Sequence, residues 1–99
     1  MLWEEGGGVG HIILNRAEHA NAVDLACARA LAAAVDAAVK SRVGAILLSA
    51  RGKQFCAGGD IRAFVERRDE LATLVDEILD LVNPAIHKLA TLPVPVISV

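Results

Sequence analysis

The sequence predicts an α/β fold in which mostly parallel strands are joined by crossover helices. Three observations support this class: an apolar strand-like run at residues 43–50, a helical pattern before it at 25–40, and a second helical pattern at 71–89 that leads into a strand-like run at 94–99. A strand, a helix and another strand in that order pair in parallel by default, through a right-handed crossover. We therefore expect parallel pairing between the strands that flank each helix.

The N-terminal residues predict a hairpin. Residues 1–5 form a candidate edge strand, residues 6–8 are three consecutive glycines, and residues 9–14 form an apolar strand. Glycines between two strand-like runs are a hairpin signal. They do not complete a dinucleotide-binding loop, because no further glycine follows at the required spacing and no clear strand precedes them. A polar loop at 15–22 then leads to the first helix.

Both long helices are predicted from apolar residues that recur every three or four positions. Asp24 is a candidate N-cap for the helix at 25–40, and Asp69 is a candidate N-cap for the helix at 71–89. Pro84 lies inside the second pattern. That helix is therefore expected either to kink at the proline or to end one residue earlier.

At 99 residues the chain holds one small domain at most. Its apolar share is 55% before its eight glycines are counted, which is high for so small a domain. We expect the excess apolar surface to be covered by a partner subunit or by further chain of the same protein. Because the sequence stops in the apolar run at 94–99, without a polar exit, we interpret it as the N-terminal part of a longer protein.

Charge and cysteine content argue against several classes of protein. The net charge is −2 and only 3% of residues are aromatic, whereas nucleic-acid binding requires basic surface and stacking rings. No uncharged run approaches the ~20 residues that span a membrane, and the N-terminus lacks the basic segment of a secretory signal. Cys27 and Cys56 have no metal-binding spacing, so we expect two free thiols in a cytoplasmic protein and no metal site. Cys56 is a poor candidate for a catalytic nucleophile, because the histidines are scattered and none is placed by the sequence to act as its base.

The turn that follows the strand at 43–50 is the strongest candidate site. Residues 52–62 read GKQFCAGGDIR, which places two glycines and an aspartate before a short helix predicted at 61–67. One interpretation is structural, because the glycines turn the chain and Asp60 caps the helix. The functional interpretation uses a glycine N–H as donor to an oxygen that becomes negative during a reaction. Such a donor is half of an oxyanion hole.

The run at 52–61 closely resembles the first glycine-rich motif of the enoyl-CoA hydratase/isomerase family, also called the crotonase family. Two other stretches resemble the family in the same order: ILNR at 13–16 with NA at 21–22 after it, and LPVPVI at 92–97. The resemblance covers essentially the whole chain. It implies a crotonase-like spiral of ββα units, of which residues 1–99 are the N-terminal part, and assembly of the full-length protein into homo-trimers or hexamers.

The same resemblance implies a substrate and residue roles. Family members bind acyl-CoA thioesters and stabilise a thioester enolate with two backbone N–H groups; coenzyme A is part of the substrate and no separate cofactor is expected. By position, Gly59 matches the first donor. The positions that match the substrate-binding pocket are Glu18, His19, Ala20, Ala57, Gly58, Gly59, Asp60 and Ile61. Basic residues that are candidates for the CoA phosphates, or alternatively for a solvated basic face, are Arg16, Arg51, Lys53, Arg62, Arg67 and Arg68.

In the family, the second donor and the acid/base glutamates lie beyond a second motif that this sequence does not contain. The glutamates that are present, Glu66, Glu70 and Glu77, fall on predicted helices and are expected to face solvent. Because hydration requires positioned carboxylates, we predict that the 99 residues alone are inactive. For the full-length protein the resemblance implies an enzyme of the enoyl-CoA hydratase/isomerase type. The alternatives to it are a thioesterase resembling the 3-hydroxyisobutyryl-CoA hydrolases and a non-catalytic acyl-CoA-binding or assembly fragment. A nucleotide phosphate loop does not fit, because Lys53 precedes the glycine pair.

Overall fold

A computed structural model describes the chain from Met1 to Val99. Four strands and three α-helices follow one another in the order β1 (Leu2–Gly6), β2 (Val9–Leu14), α1 (Leu25–Lys40), β3 (Ala45–Ala50), α2 (Ile61–Glu66), α3 (Leu71–Thr91) and β4 (Val96–Ser98). Short 3₁₀ turns precede α1 and α3, at Ala17–His19 and Arg68–Glu70. The predicted α/β class is confirmed.

The four strands form one sheet in the order β1-β2-β3-β4. The hairpin strands β1 and β2 are antiparallel, with Trp3 opposite Ile12. The pairs β2–β3 and β3–β4 are parallel, and each pair is connected through helix, as the strand–helix–strand order predicts. Ile12 and Ile46 lie on the same face of this sheet, because side chains alternate between faces along each strand.

That face of the sheet forms the main core with α1 and α3. Its buried members are Ile12, Ala34, Val35, Ala38, Ile46, Ala85 and Leu89. Small residues on α1 let α3 approach closely, and a second cluster of Ala28, Leu74 and Ile78 joins the two helices nearer the loops. The predicted apolar stripes supply most of these packed residues, but Val39, Leu71 and Ile86 of the stripes are exposed, and Ala34, which was not predicted, is buried.

The helix starts agree with the sequence in two of three cases. The Asp24 carboxylate accepts a hydrogen bond from the Cys27 N–H at 2.8 Å, which caps α1. The prediction that Asp69 caps the next long helix was wrong. Residues 68–70 already form a 3₁₀ turn, closed by the Glu70 N–H to Arg67 C=O bond at 2.9 Å, so Asp69 lies inside that turn and α3 begins without a side-chain cap.

The proline in α3 does not end the helix, which runs unbroken from Leu71 to Thr91. Pro84 costs the helix one backbone hydrogen bond. However, buried side chains lie on both sides of it, Ile78 before and Ala85 after, so packing against α1 and the sheet holds the two halves as one helix. None of the helices is long and apolar enough to cross a lipid bilayer.

Candidate functional site

Gly59 lies where the loop before α1 meets the loop before α2. The two loops form an isolated parallel bridge: the Val23 N–H donates to the Gly58 C=O at 2.8 Å, and the Asp60 N–H donates to the Val23 C=O at 2.9 Å. In this pattern the bridged residue's own N–H and C=O point away from the partner. The Gly59 N–H accordingly makes no hydrogen bond within the protein.

The two glycines are required for different physical reasons. Gly58 has φ +95°, a conformation that side-chain-bearing residues rarely adopt, although open space surrounds the position where its Cβ would lie. Gly59 has no such φ value, but a Cβ there would approach the Phe64 ring to 2.7 Å. The first glycine therefore permits the turn, and the second leaves room for the aromatic ring beside the free amide.

An apolar cleft of about 350 Å³ borders this amide. It lies between the bridge and the helices α2 and α3, and its lining residues are Val23, Gly58, Gly59, Phe64, Val75, Ile78, Leu79 and Val82. None of these side chains is ionisable. An uncharged chain fits such a lining, whereas the cleft itself provides no group that can take up or deliver a proton.

Asp60 has the predicted capping role and a second role that was not predicted. Its carboxylate accepts a hydrogen bond from the Ala63 N–H at 3.2 Å, which caps α2. Its other oxygen binds the Arg16 guanidinium at 2.8 Å. These two hydrogen bonds, the one from Arg16 first, lower the pKa of Asp60 below its ordinary value of 3.8. Since α2 has only six residues, its dipole adds little to the field at the Gly59 N–H.

Arg16 binds three acceptors on both sides of the bridge. Its Nη1 donates to the Asp60 carboxylate and, at 2.7 Å, to the Ala22 C=O, while its Nη2 lies 3.2 Å from the Asp24 carboxylate. Burial alone lowers the pKa of Arg16, but the hydrogen bond to Asp60 and the charges of both carboxylates outweigh it and raise that pKa. The Arg16 guanidinium therefore links the two loops through hydrogen bonds and ion pairs, and we call such a link a polar tie. It is not a free cation for a ligand phosphate.

Asn21 joins the same two loops from inside. It is only 2% exposed, and its Nδ2 donates to the Arg51 C=O at 2.9 Å and to the Gln54 C=O at 2.8 Å. Its Oδ1 accepts from the Arg16 N–H at 2.8 Å. The backbone at Asn21 has φ +55°, which asparagine tolerates better than most residues. One side chain thus hydrogen-bonds to three backbone groups.

The predicted substrate-contact residues fall in three places. Gly58 and Gly59 line the apolar cleft. His19 and Asp60 line a separate polar hollow of about 220 Å³, which they share with Arg16, Asp24, Arg62, Ala63 and Glu66. Of the others, Ala57 donates its N–H to the Ala20 C=O at 3.1 Å, Glu18 lies on the surface, and Ile61 is 70% exposed.

The basic residues are divided between paired and free side chains. Arg67 binds Glu70 at 3.0 Å and approaches Glu77 to 3.9 Å, so its charge, like that of Arg16, is paired with carboxylates of the chain. Arg51 reaches only Asn15, at 3.5 Å. Lys53, Arg62 and Arg68 form no ion pair with another residue of the chain.

The remaining candidate groups do not assemble into a second site. Both cysteines are free thiols, and burial, followed by the charge of Asp24, raises the pKa of Cys27. His11, on the inner strand β2, binds the Ser49 hydroxyl at 2.6 Å. No three His, Cys, Asp or Glu side chains come close enough to ligate a metal ion.

Sequence reasoning missed the cleft and the polar ties. Phe64 and Leu79 carried no signal, because neither was among the residues whose spacing predicted the long helices. Arg16 and Asn21 were noted for their family resemblance, and Arg16 as a candidate for the CoA phosphates, but not as partners of the second loop. Their bonds to Asp60, Arg51 and Gln54 span 30 to 44 positions. The available signal was that the loop at 15–22 contains two polar residues able to make several directed hydrogen bonds.

The parallel crossovers define the class of the protein as α/β, with a free backbone amide at a glycine turn after β3. The family model for enoyl-CoA hydratase/isomerase matches residues 9–99. The chain therefore belongs to the enoyl-CoA hydratase/isomerase family.

Individual relatives agree with this assignment. The chain is 34% identical to the trans-2-decenoyl-[acyl-carrier-protein] isomerase of Streptococcus mutans, over 98% of its own length and 38% of that protein. It superposes on a Mycobacterium abscessus protein assigned as an enoyl-CoA hydratase/isomerase with a TM-score of 0.88 at 35% identity, and on an enoyl-CoA hydratase of Mycobacterium smegmatis with a TM-score of 0.84 at 29% identity. Each superposition also covers 98% of this chain and 38% of the other. The chain thus spans well under half the length of these relatives.

Proposed function

We propose that the protein to which these 99 residues belong acts on acyl-CoA thioesters, and that the Gly59 N–H donates to the thioester oxygen as that oxygen takes on enolate charge. The observation that carries this proposal is the unpaired Gly59 amide at the wall of an uncharged cleft. A donor held in place before the reaction stabilises the developing charge without reorganisation. The apolar lining suits the alkyl part of an acyl group, and coenzyme A enters as part of the substrate.

We further propose that the 99 residues are the N-terminal part of a longer crotonase-like domain and are inactive alone. Support comes from the 38% coverage of the relatives and from the absence of any ionisable side chain in the cleft. A second donor and the acid and base groups then come from outside these residues. The exposed Ile61 and Val65 on α2 are consistent with burial by further chain or by other copies in a trimer or hexamer.

A second candidate differs in the carrier of the acyl group. The S. mutans relative is named as an isomerase of a decenoyl group on acyl-carrier protein. We therefore consider an enoyl isomerase acting on acyl-carrier-protein thioesters as the alternative to a CoA-dependent hydratase. Both reactions pass through an enolate and use the same Gly59 donor. Hydrolysis of a 3-hydroxyacyl-CoA is a third outcome, distinguished by release of free thiol.

The first experiment follows the backbone amides of the 99-residue chain, labelled with ¹⁵N, during titration with crotonyl-CoA and decenoyl-CoA. The Gly59 amide is expected to shift with saturation, because it gains an acceptor. Coenzyme A without an acyl group is the matched control and should leave this amide unchanged. Equal shifts of the Gly59 amide with coenzyme A and with a thioester, or no shift with either thioester, would contradict the proposed donor role.

The second experiment measures turnover. The 99-residue chain should neither hydrate nor isomerise either thioester, and it should release no thiol. Decenoyl-CoA and decenoyl-acyl-carrier protein are then compared as substrates of the full-length gene product. Activity of the 99-residue chain would overturn the prediction of inactivity, and a preference for the carrier protein would favour the second candidate.

A further inference from the structure

The Arg16 side chain holds together the two backbone segments that orient the Gly59 amide. On the first segment it contacts the residues on either side of Val23, through the Ala22 C=O at 2.7 Å and the Asp24 carboxylate at 3.2 Å. On the second it contacts the residue next to Gly59, through the Asp60 carboxylate at 2.8 Å. A single planar group therefore brackets the bridge between Val23 and Gly59.

This bridge sets the direction of the free amide. The Gly58 C=O and the Asp60 N–H are both turned toward Val23, at 2.8 and 2.9 Å, so the intervening peptide N–H of Gly59 is turned away from it. If the bridge opens, the Gly59 N–H loses its fixed direction. The bridge residues belong to no long strand, and only two backbone hydrogen bonds hold them together.

We propose that Arg16 is a positioning residue for the Gly59 donor: it keeps the Val23–Gly59 bridge closed and so keeps the amide aimed at the bound thioester oxygen. The catalytic meaning of this role rests on the proposed function, whereas the structural role does not. Arg16 does not line the apolar cleft, so it influences an acyl group bound there only by orienting the Gly59 amide.

The chemistry of the three contacts requires a guanidinium. Nη1 contacts two acceptors and Nη2 a third, and the single nitrogen of a lysine ammonium cannot reproduce this arrangement. Arg16→Lys should therefore preserve the charge but only part of the effect. Arg16→Met removes both charge and donors while keeping an unbranched apolar stem.

Hydrogen exchange in the ¹⁵N-labelled 99-residue chain tests the structural part directly. Arg16→Met should speed exchange of the Val23 and Asp60 amides about tenfold or more, since a charged hydrogen bond is removed from each side of the bridge. Amides of β3 should keep their protection. The control is Lys88→Met, which breaks the exposed 2.9 Å pair with Asp36 and should leave both bridge amides unchanged. Unchanged protection of the bridge in Arg16→Met would overturn the proposal.

Thioester titration tests the positioning role. The shift of the Gly59 amide on adding decenoyl-CoA should become smaller and need more ligand in Arg16→Met, and Arg16→Lys should recover part of it. A purely structural role would leave the liganded Gly59 shift unchanged once the variant is folded. If wild-type chain shows no thioester response, the proposed function fails, while the exchange result still decides whether Arg16 holds the bridge.

A milder variant covers the case in which Arg16→Met does not fold. Asp24→Asn keeps the cap on the Cys27 N–H, because asparagine caps helices about as well as aspartate, but it removes one charge from the Arg16 contacts. Exchange at Val23 and Asp60 should rise by a smaller factor than in Arg16→Met, in the order wild type, Asp24→Asn, Arg16→Lys. The absence of any change in both Asp24→Asn and Arg16→Lys would overturn the proposal.

Discussion

The layer of helices on the sheet and the pair of loops around Gly59 are held together by different forces. In the layer, Ile12, Val35 and Ile46 are completely buried and contribute through apolar area. Between the loops the buried side chains are Asn21 and Asp60, and each makes directed polar contacts. Apolar packing tolerates changes that keep volume, whereas a polar tie fails when one donor or acceptor is lost.

The largest effect should come from the layer. Ile46→Ala removes a fully buried side chain at the centre of the main core and is expected to cost about 2–5 kcal/mol in the free energy of unfolding. This is a large part of the stability of so small a domain. Urea denaturation followed by circular dichroism measures it. The control is Ile86→Ala, at a side chain that is half exposed on α3, for which a loss of comparable size would contradict this account of the core.

The next effect should come from the loops. Asn21→Ala leaves two carbonyls and one N–H without their partner and places alanine at φ +55°. We expect a loss of about 2–3 kcal/mol, because three hydrogen bonds at ~1 kcal/mol each are lost and water can reach the carbonyls of the exposed residues Arg51 and Gln54. Asn21→Gly is the matched variant, because it loses the same hydrogen bonds but tolerates the backbone angle. If the urea midpoints of both variants equal that of the wild type, the Asn21 side chain does not hold the two loops together.

These two regions also differ in how far the sequence predicts them. Helical periodicity predicts α1 and α3, because the apolar stripe is a local property, and the caps at Asp24 and Asp60 are read from residues within three positions. The sequence also singled out Gly58 and Gly59. The contacts of Arg16 with Asp60, and of Asn21 with Arg51 and Gln54, were not predictable, because they depend on where two loops meet after folding.

The wrong prediction for Asp69 has the same origin. A capping residue is recognised by type, but its effect depends on the backbone conformation, which here is already a 3₁₀ turn. At Pro84, too, the local rule is overridden. Proline favours a break or a kink, but packing of the residues on both sides of it keeps the helix continuous. Local rules therefore succeed where packing agrees with them and fail where more distant contacts decide.

A smaller effect should separate the two glycines of the turn. Gly58→Ala is expected to cost about 1–2 kcal/mol from backbone strain alone, because φ is +95° and no atom beyond the adjoining residues lies within 4 Å of the added methyl group. Gly59→Ala acts through contact with the Phe64 ring instead. A second substitution, Phe64→Leu, should therefore relieve Gly59→Ala but not Gly58→Ala. Denaturation of the single and double variants measures the coupling, and equal coupling at both glycines would contradict this distinction.

The smallest effect concerns two ion pairs under mild acid. Arg16 lowers the pKa of Asp60 and Lys88 lowers that of Asp36, so both carboxylates stabilise the fold fully above their ordinary pKa of 3.8 and lose that contribution as the pH falls through the lower folded value. Asp36 and Lys88 are about half exposed, which leaves their attraction screened by water and salt, whereas Asp60 is 8% exposed.

Stability measured between about pH 5.5 and pH 3 at raised salt should therefore depend more on the loop pair than on the helix pair. Asp60→Asn should flatten the acid-side loss of stability relative to wild type, because its side chain no longer releases a proton on folding. Asp36→Asn should leave the slope close to that of wild type under the same conditions. If the two variants flatten the curve equally, the loop carboxylate is no better shielded than the exposed one, and the distinction between a surface pair and a polar tie at Gly59 does not hold.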